Sequence, residues 1–285
     1  MNSVKIKQYL KSLIPDIWYR KYIYKKTTGK KLNLNPPVTF NEKINYRILY
    51  DRKKIYTELA DKITVRDYVK HKIGDEYLIK LIDIFDNTNS ININKLPNKF
   101  VLKCNHDAGS VIICEDKTKF NFDNAFKRLE HALKHNMYSK TREWHYKNIK
   151  PKIICEEYID IFSSEGEKYQ PEDYKIHCFH GTPQILEIQF QRFNESRHIN
   201  IYDTKWNLLP FLMGFPNTPY DVPKPINLDK LLILSTKLSK DFDYCRVDFY
   251  IAKGKIFFGE MTFTPCNGLD TFNPTEWDEK IGKLW

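Results

Sequence analysis

Asp248 and Glu260 stand in two runs of alternating character near the end of the chain, Arg246-Val247-Asp248-Phe249-Tyr250-Ile251 and Ile256-Phe257-Phe258-Gly259-Glu260-Met261-Thr262. Side chains of a strand alternate between faces, so Arg246, Asp248 and Tyr250 share one face, as do Phe258, Glu260 and Thr262. The loop between the runs sets whether those faces coincide. A two-residue loop pairs Asp248 with Gly259 and turns Glu260 away. A three-residue loop, Ala252-Lys253-Gly254 with a left-handed glycine, pairs Asp248 with Phe258 and Arg246 with Glu260, and is the turn expected here. The carboxylates then lie diagonally on one face, about 7–8 Å apart at the backbone. Hard oxygen donors of this kind suit Mg²⁺, usually with nucleotide phosphates completing the octahedron. Two isolated acids would simply line a solvated sheet face. These two stand among Phe and Val, beside Arg246 and before Thr262-Phe263-Thr264-Pro265-Cys266-Asn267-Gly268, a context that favours a site. Each is expected in a solvated cleft.

A nucleotide site needs a cation and a phosphate loop upstream. Lys103-Cys104-Asn105-His106-Asp107-Ala108-Gly109-Ser110 ends a strand with a lysine and turns through small residues. Backbone N–H groups there can cradle phosphates while Lys103 neutralises them. The run has one glycine and no Walker spacing, so a plain hairpin would look similar. His106 reads as structural. The six cysteines are scattered with no C-x-x-C pair, which argues against a zinc site or disulfide framework and for reduced thiols on buried strands.

The elements that must position these groups follow from pattern. Thr39-Phe40-Asn41-Glu42 has capping-box spacing and starts a helix expected to run to Tyr56. Further helices are expected over Asp61–Lys72, Phe122–Tyr138 and Asp229–Asp241. Strands are expected over Tyr77–Phe85, Phe100–Cys104, Val111–Cys114 and Ile153–Ile159. Tyr174–Phe179 and Gln184–Phe190 should form a hairpin around His180-Gly181-Thr182-Pro183, ahead of the terminal hairpin. Helices mixed with antiparallel hairpins make an α+β fold in two lobes.

The 285 residues are 41% hydrophobic and 14% aromatic, which suits a globular protein. The longest apolar runs are a few residues, too short to span a bilayer, and no signal peptide is visible, so the expected location is the cytoplasm. The formal charge of +10 is uneven: residues 1–31 carry nine lysines and arginines against Asp16 alone. Interleaved with Tyr9, Trp18, Tyr19, Tyr22 and Tyr24, that charge suggests peripheral contact with an anionic membrane, at the inner face of the cytoplasmic membrane. No RRM, KH or zinc pattern supports nucleic-acid binding, and none is expected.

Arg246-Val247-Asp248-Phe249, followed by Glu260-Met261-Thr262-Phe263-Thr264-Pro265 and Gly268, resembles the metal-binding end of the ATP-grasp superfamily. There an Arg-x-Asp strand precedes a Glu-x-Asn strand and a Pro/Gly loop. The resemblance implies Asp248 and Glu260 as Mg²⁺ ligands, with Thr262 at the position more often held by Asn. It implies Arg246, Lys103 and Lys175 as the catalytic cations. Lys103 to Ser110 is similar to the superfamily's lysine and mobile loop. Glu156, Glu157, Tyr158 and Ile159 resemble the hinge strand that binds adenine. Asp173 and Lys175 resemble the segment that meets ribose and phosphates, and Lys62 matches a further phosphate-binding cation, with Arg66 on the same face four residues on. The ordered set, spanning residues 39–270, resembles the TupA-like branch, named for teichuronopeptide synthesis and common in bacterial surface-polysaccharide loci.

The fold so implied is two α+β lobes clamping ATP, over 59–152 and 153–285, behind a basic helical region over 1–58. The implied activity is an ADP-releasing, Mg²⁺-dependent carboxylate–amine ligase acting through an acyl phosphate. It would join an amino acid to a uronic-acid or lipid-linked sugar. The acceptor pocket is expected around Arg192, Arg197, His198 and Asn200, whose arginines suit an acidic sugar or amino-acid carboxylate. The alternative is a glycosyltransferase of polysaccharide biosynthesis, for which Asp241-Phe242-Asp243 supplies a D-x-D triplet.

Overall fold

The computed structural model of the chain describes residues 13–161, 171, 173–190 and 197–285. The helices used below are α1 (Asp16–Thr28), α2 (Phe40–Tyr50), α3 (Lys54–Ala60), α4 (Val65–Ile73), α5 (Phe122–Leu133), α6 (Met137–Thr141), α7 (Leu228–Ser239) and α8 (Trp277–Gly282). The strands are β1 (Leu81–Phe85), β2 (Phe100–Cys104), β3 (Ile112–Cys114), β4 (Ile153–Glu157), β5 (Asp173–Phe179), β6 (Thr182–Phe190), β7 (His198–Asp203), β8 (Leu212–Met213), β9 (Tyr244–Ala252), β10 (Lys255–Thr262) and β11 (Phe272–Asn273). The class is α+β, as expected.

The chain divides into two compact units, Lys53–Asp160 and Met1–Arg52 with Ile161–Trp285. These bounds differ from the 58/59 and 152/153 divisions read from the sequence. The strand expected to open the second lobe, β4, is instead hydrogen-bonded between β1 and β2. Among the described residues, 13–52 are not a separate region, because α2 packs on the sheet of the second unit through Phe40, whose ring meets His177, Phe179 and Tyr244.

In the 53–160 unit the strands form an antiparallel sheet in the order β1-β4-β2-β3. One face is apolar: Phe100, Leu102, Cys104, Ile153 and Cys155 pack against Leu129 of α5. Period-two alternation sends Lys103 and Glu156 to the other face.

In the other unit the antiparallel order is β10-β9-β5-β6-β7. Helix α7 packs on one face. Helix α2 begins with the expected Thr39–Glu42 capping box and covers one end of the opposite face with Phe40, Ile44 and Ile48. It stops at Tyr50, short of Tyr56, because Asp51 leaves helical geometry and α3 restarts at Lys54. The helix expected over Phe122–Tyr138 is likewise cut, with Asn136 capping α6.

The terminal hairpin corrects the loop reading. Ala252 pairs with Lys255, so the turn has two residues, Lys253 (φ 50°) and Gly254 (φ 74°), both left-handed as a tight hairpin requires. A β-bulge between Phe258 and Glu260 then adds one residue, so Asp248 faces Glu260 and Arg246 faces Thr262. The bulge depends on Gly259: a Cβ there would lie 3.1 Å from both the Asp248 carbonyl oxygen and the Tyr250 ring. The acids are opposite one another, closer than the diagonal pairing expected.

Candidate functional site

Arg246, Asp248, Glu260 and Thr262 form one contact group on β9 and β10. Arg246 Nε lies 2.7 Å from Asp248 Oδ1 and Nη2 lies 2.8 Å from Oδ2. The same Nη2 donates to Glu260 Oε1 at 3.2 Å and to Thr262 Oγ1 at 3.1 Å. One nitrogen thus sits in a cradle of three oxygens from three residues. From β5, Lys175 Nζ donates to Asp248 Oδ2 and lies 3.7 Å from Asp173 Oδ2. Asp248 is 1% exposed, whereas the Glu260 side chain is 42% exposed. Glu260 is therefore solvated, whereas Asp248, expected to be solvated too, is buried. Asp248 lies on an inner strand between β10 and β5, while β10 is the sheet edge.

The oxygens that converge on Arg246 Nη2 are all hard donors, which fits Mg²⁺. Among the described residues no group of three or more His, Cys, Asp or Glu side chains comes together. The chain offers two carboxylates and a hydroxyl, and phosphate or water oxygens would complete the shell.

Behind this group lies a buried network that the sequence reading passed over. His177 Nε2 lies 3.2 Å from Glu187 Oε2 and its Nδ1 lies 3.0 Å from Tyr244 Oη. Gln189 Nε2 donates to Glu187 Oε1, and Arg197 Nη2 donates to Gln189 Oε1 at 3.2 Å. Burial pushes His177 down, only partly offset by its bond to Glu187. Burial pushes Glu187 up, but the His177 bond and the charges of Arg246 and Lys175 outweigh it and hold the carboxyl well below its usual range. His177 thus bridges the Glu187 carboxylate and the Tyr244 hydroxyl through its two ring nitrogens. Arg246 is disfavoured by burial, yet the Asp248, Glu187 and Glu260 charges raise it well above its ordinary value. The signal for this network was present in the alternation Asp173, Lys175, His177 and Glu187, Gln189, which puts these groups on the Asp248 face.

The 53–160 unit carries a second charged group. Glu156 Oε2 lies 2.5 Å from Lys103 Nζ, and Oε1 lies 3.2 Å from Arg66 Nη1. Lys62 Nζ donates to the Asp107 carbonyl oxygen, tying its helix start to the 105–110 turn. Ser110 Oγ accepts from Cys104 N at 2.7 Å and donates to Asp107 Oδ1 at 2.6 Å, so its hydroxyl closes the turn. His106 is buried, its Nε2 near the carbonyls of Ala132 and His135. Of the other residues expected at the adenine-binding strand, Glu157 is exposed and its N–H donates to the Lys80 carbonyl at 2.9 Å. Tyr158 Oη donates to Glu115 at 3.0 Å, and Ile159 follows the end of β4.

Of the expected acceptor residues, Arg197 reaches the Asp248 face through Gln189, whereas His198 and Asn200 do not. Arg192 lies outside the described residues. Arg197 reaches Gln189 and stacks over the Phe215 ring at 4.1 Å. His198 and Asn200 belong to β7. They pair with Phe190 and Ile188 and so project to the face opposite Glu187 and Gln189. Asn200 is bonded there to Tyr202 Oη and to Thr218. The D-x-D triplet is not free for catalysis either: Asp243 takes bonds from Arg47, the Tyr244 N–H and Trp285 Nε1.

Residues 42–285 match the family described as TupA-like ATP-grasp, and the chain belongs to that family. No curated protein matches the chain. Among solved structures it is similar to a D-alanine–D-alanine ligase from Bacillus anthracis complexed with ATP, at 16% identity and TM-score 0.41, over 73% of this chain and 56% of that one. It is similar to an L-amino acid ligase from Bacillus licheniformis at 11% identity and TM-score 0.47, over 80% and 50%. A D-alanine–D-alanine ligase from Helicobacter pylori matches at 16% identity and TM-score 0.42, over 86% and 65%. The chain thus spans about half to two-thirds of the length of these ligases.

Proposed function

We propose that the chain is an ATP- and Mg²⁺-dependent carboxylate–amine ligase that releases ADP. Its substrates in this reading are an amino acid and a uronic-acid or lipid-linked sugar of a bacterial surface polysaccharide, met in the cytoplasm at the anionic inner face of the membrane. Membership of the TupA-like ATP-grasp family supports the reaction class. The observation that carries it is the oxygen cradle of Asp248, Glu260 and Thr262 around Arg246 Nη2, with Lys175 on the same carboxylate.

Asp248 and Glu260, with Thr262 beside them, would hold Mg²⁺, which supplies charge neutralisation on the polyphosphate. Lys175 and Arg246 flank that position and present N–H donors to a transferring phosphoryl group. Arg246 also stabilises the oxyanion formed when an amine attacks the acyl carbon. In the other unit, Lys103 and Lys62 bind phosphate charge, and Glu156 keeps Lys103 and Arg66 aligned. Glu157, Tyr158, Ile159 and Asp173 are assigned to the adenine and ribose. The bond changes balance as follows. A carboxylate oxygen takes the γ-phosphoryl group and ADP leaves. The amine nitrogen then bonds the acyl carbon, phosphate departs with that oxygen, and the amine loses a proton.

The reaction is tested by supplying an ¹⁸O-labelled carboxylate substrate with ATP and weighing the released phosphate. Labelled phosphate with stoichiometric ADP supports it. Unlabelled phosphate, AMP release or ATP-independent coupling would overturn it.

A further inference from the structure

Helix α1 has two sides of opposite character. Its inner side is fixed: Arg20 is fully buried, with Nε and Nη2 on Asn45 Oδ1 at 2.8 and 2.6 Å, Nη1 on Asn267 Oδ1 at 2.9 Å, and Nη2 on the Asn267 carbonyl at 2.5 Å. Tyr24, one turn on, is 1% exposed. At about 100° per residue, Trp18 and Tyr22 fall on the far side of the helix from Arg20 and Tyr24, and Leu13 and Ile14 precede the helix. Trp18 is 72% exposed, Tyr22 63%, Leu13 62% and Ile14 43%. Lys21, Lys25 and Lys26 interleave with this stripe and are exposed. The sequence before it adds Lys5, Lys7 and Lys11. With Arg20 and Tyr24 held, the helix cannot roll to hide the stripe.

We propose that this face of α1 docks onto an anionic membrane surface, with Ile14, Trp18 and Tyr22 entering the headgroup region and the lysines contacting lipid phosphates. The inference deepens the membrane contact of the proposed function and rests on that reading for its place, though not for its chemistry. Indole and phenol rings favour the membrane–water boundary, and lysines beside them favour anionic headgroups. A second copy of the chain fits poorly, because two such faces would oppose lysine to lysine. A nucleic acid would use the rings and lysines, but gains nothing from aliphatic Leu13 and Ile14.

The test uses the full chain and co-sedimentation with phosphatidylcholine vesicles containing roughly one-third phosphatidylglycerol, against pure phosphatidylcholine, at about 0.1 and 0.5 M salt. Expected is binding to the anionic vesicles at least about tenfold tighter than to neutral ones, and weakened by salt. Lys21→Glu/Lys25→Glu/Lys26→Glu should weaken it on the order of a hundredfold or more. Trp18→Ala/Tyr22→Ala should weaken it about tenfold or more with the thermal melt unchanged, since both side chains are exposed. Absence of binding, equal binding to both vesicles, or unchanged binding of either variant would overturn the proposal. Displacement of vesicles by polyuridylate would assign the face to nucleic acid, and self-association lost in the Trp18/Tyr22 variant would assign it to a second copy. ATP turnover is not read, so a failed ligase reading leaves this result intact.

Discussion

Asp248→Asn and Glu260→Gln each remove one negative charge from the same oxygen cradle, yet the structure expects them to differ in stability. Asp248 is 1% exposed and takes charged donors from Arg246 and Lys175. Asparagine keeps one acceptor and turns an NH₂ group toward those cations, leaving two buried charges short of a partner. Breaking a buried pair in this way costs about 3–5 kcal/mol. Glu260 has a side chain 42% exposed and a 3.2 Å contact to Arg246, so solvent screening limits its loss to about 0–1 kcal/mol. At about 2–4 °C per kcal/mol for a domain of this size, Asp248→Asn should lower Tm by about 6–20 °C and Glu260→Gln by a few degrees at most. Both should abolish ADP release in a coupled assay, because phosphate charge then lacks its metal. Differential scanning calorimetry and turnover, run on the same preparations below the lower melt, separate the two effects. A wild-type melt for Asp248→Asn would refute the buried pairing. Wild-type turnover by either variant would remove the terminal hairpin from the active site.

Thr262→Ala should slow turnover less than either acid variant, since it removes a neutral oxygen from the cradle, and steady-state ADP release measures it. Lys103→Met should raise the KM for ATP by an order of magnitude or more while the sheet survives, because Glu156 keeps Arg66 as a partner. Arg20→Lys should cost about 1–3 kcal/mol by leaving acceptors on Asn45 or Asn267 unsatisfied, read as a shift in urea midpoint. Asp270 is pushed up to about 6 by burial, reinforced by the Glu187 charge, so its protonated form favours the fold and that contribution is lost as pH rises from about 4 through 6. Asp270→Asn should therefore gain stability relative to wild type at pH 7.5 and lose that gain near pH 4, measured by urea midpoints at the two values.

The face that carries the candidate site was legible because its logic is local. Alternation alone places Arg246 with Asp248 and Glu260 with Thr262, and the capping box alone starts α2. What stayed hidden needed a second strand. The bulge at Gly259 is one residue of slippage, and its only trace is a glycine where the Asp248 carbonyl passes at 3.1 Å from an added Cβ. Hairpin reasoning reached the right face through the wrong loop, since a two-residue turn plus a bulge puts the acids on the same face as a three-residue turn does, though in different pairs. Arg197, His198 and Asn200 were expected together around an acceptor pocket, and Arg197-His198-Ile199-Asn200 carries no sign of which face each side chain takes. As edge strand β7, it sends Asn200 to the α7 side of the sheet, and nothing short of the β6–β7 register reveals that.

Burial separates the two acids of the cradle in kind. Asp248 is held by Lys175 and Arg246, and so anchors both cations on the same face of the sheet. Glu260, on the open edge strand, touches the same arginine through one oxygen and stays reachable from solvent. Beyond them, Cys266, Asn267 and Gly268 run through three consecutive left-handed residues, a backbone held by Arg20 and Asn45 from helices on the other side of the sequence. Left-handed non-glycine residues cost about 1–2 kcal/mol each. Such a turn persists only where its surroundings over-determine it, and strain of this kind gathers at functional sites. Arg20 lies outside the 42–285 family match yet grips the loop that follows the cradle. The basic helix is therefore built into the unit that carries the cradle: its inner side holds the loop after it, and Trp18 and Tyr22 on its outer side are exposed.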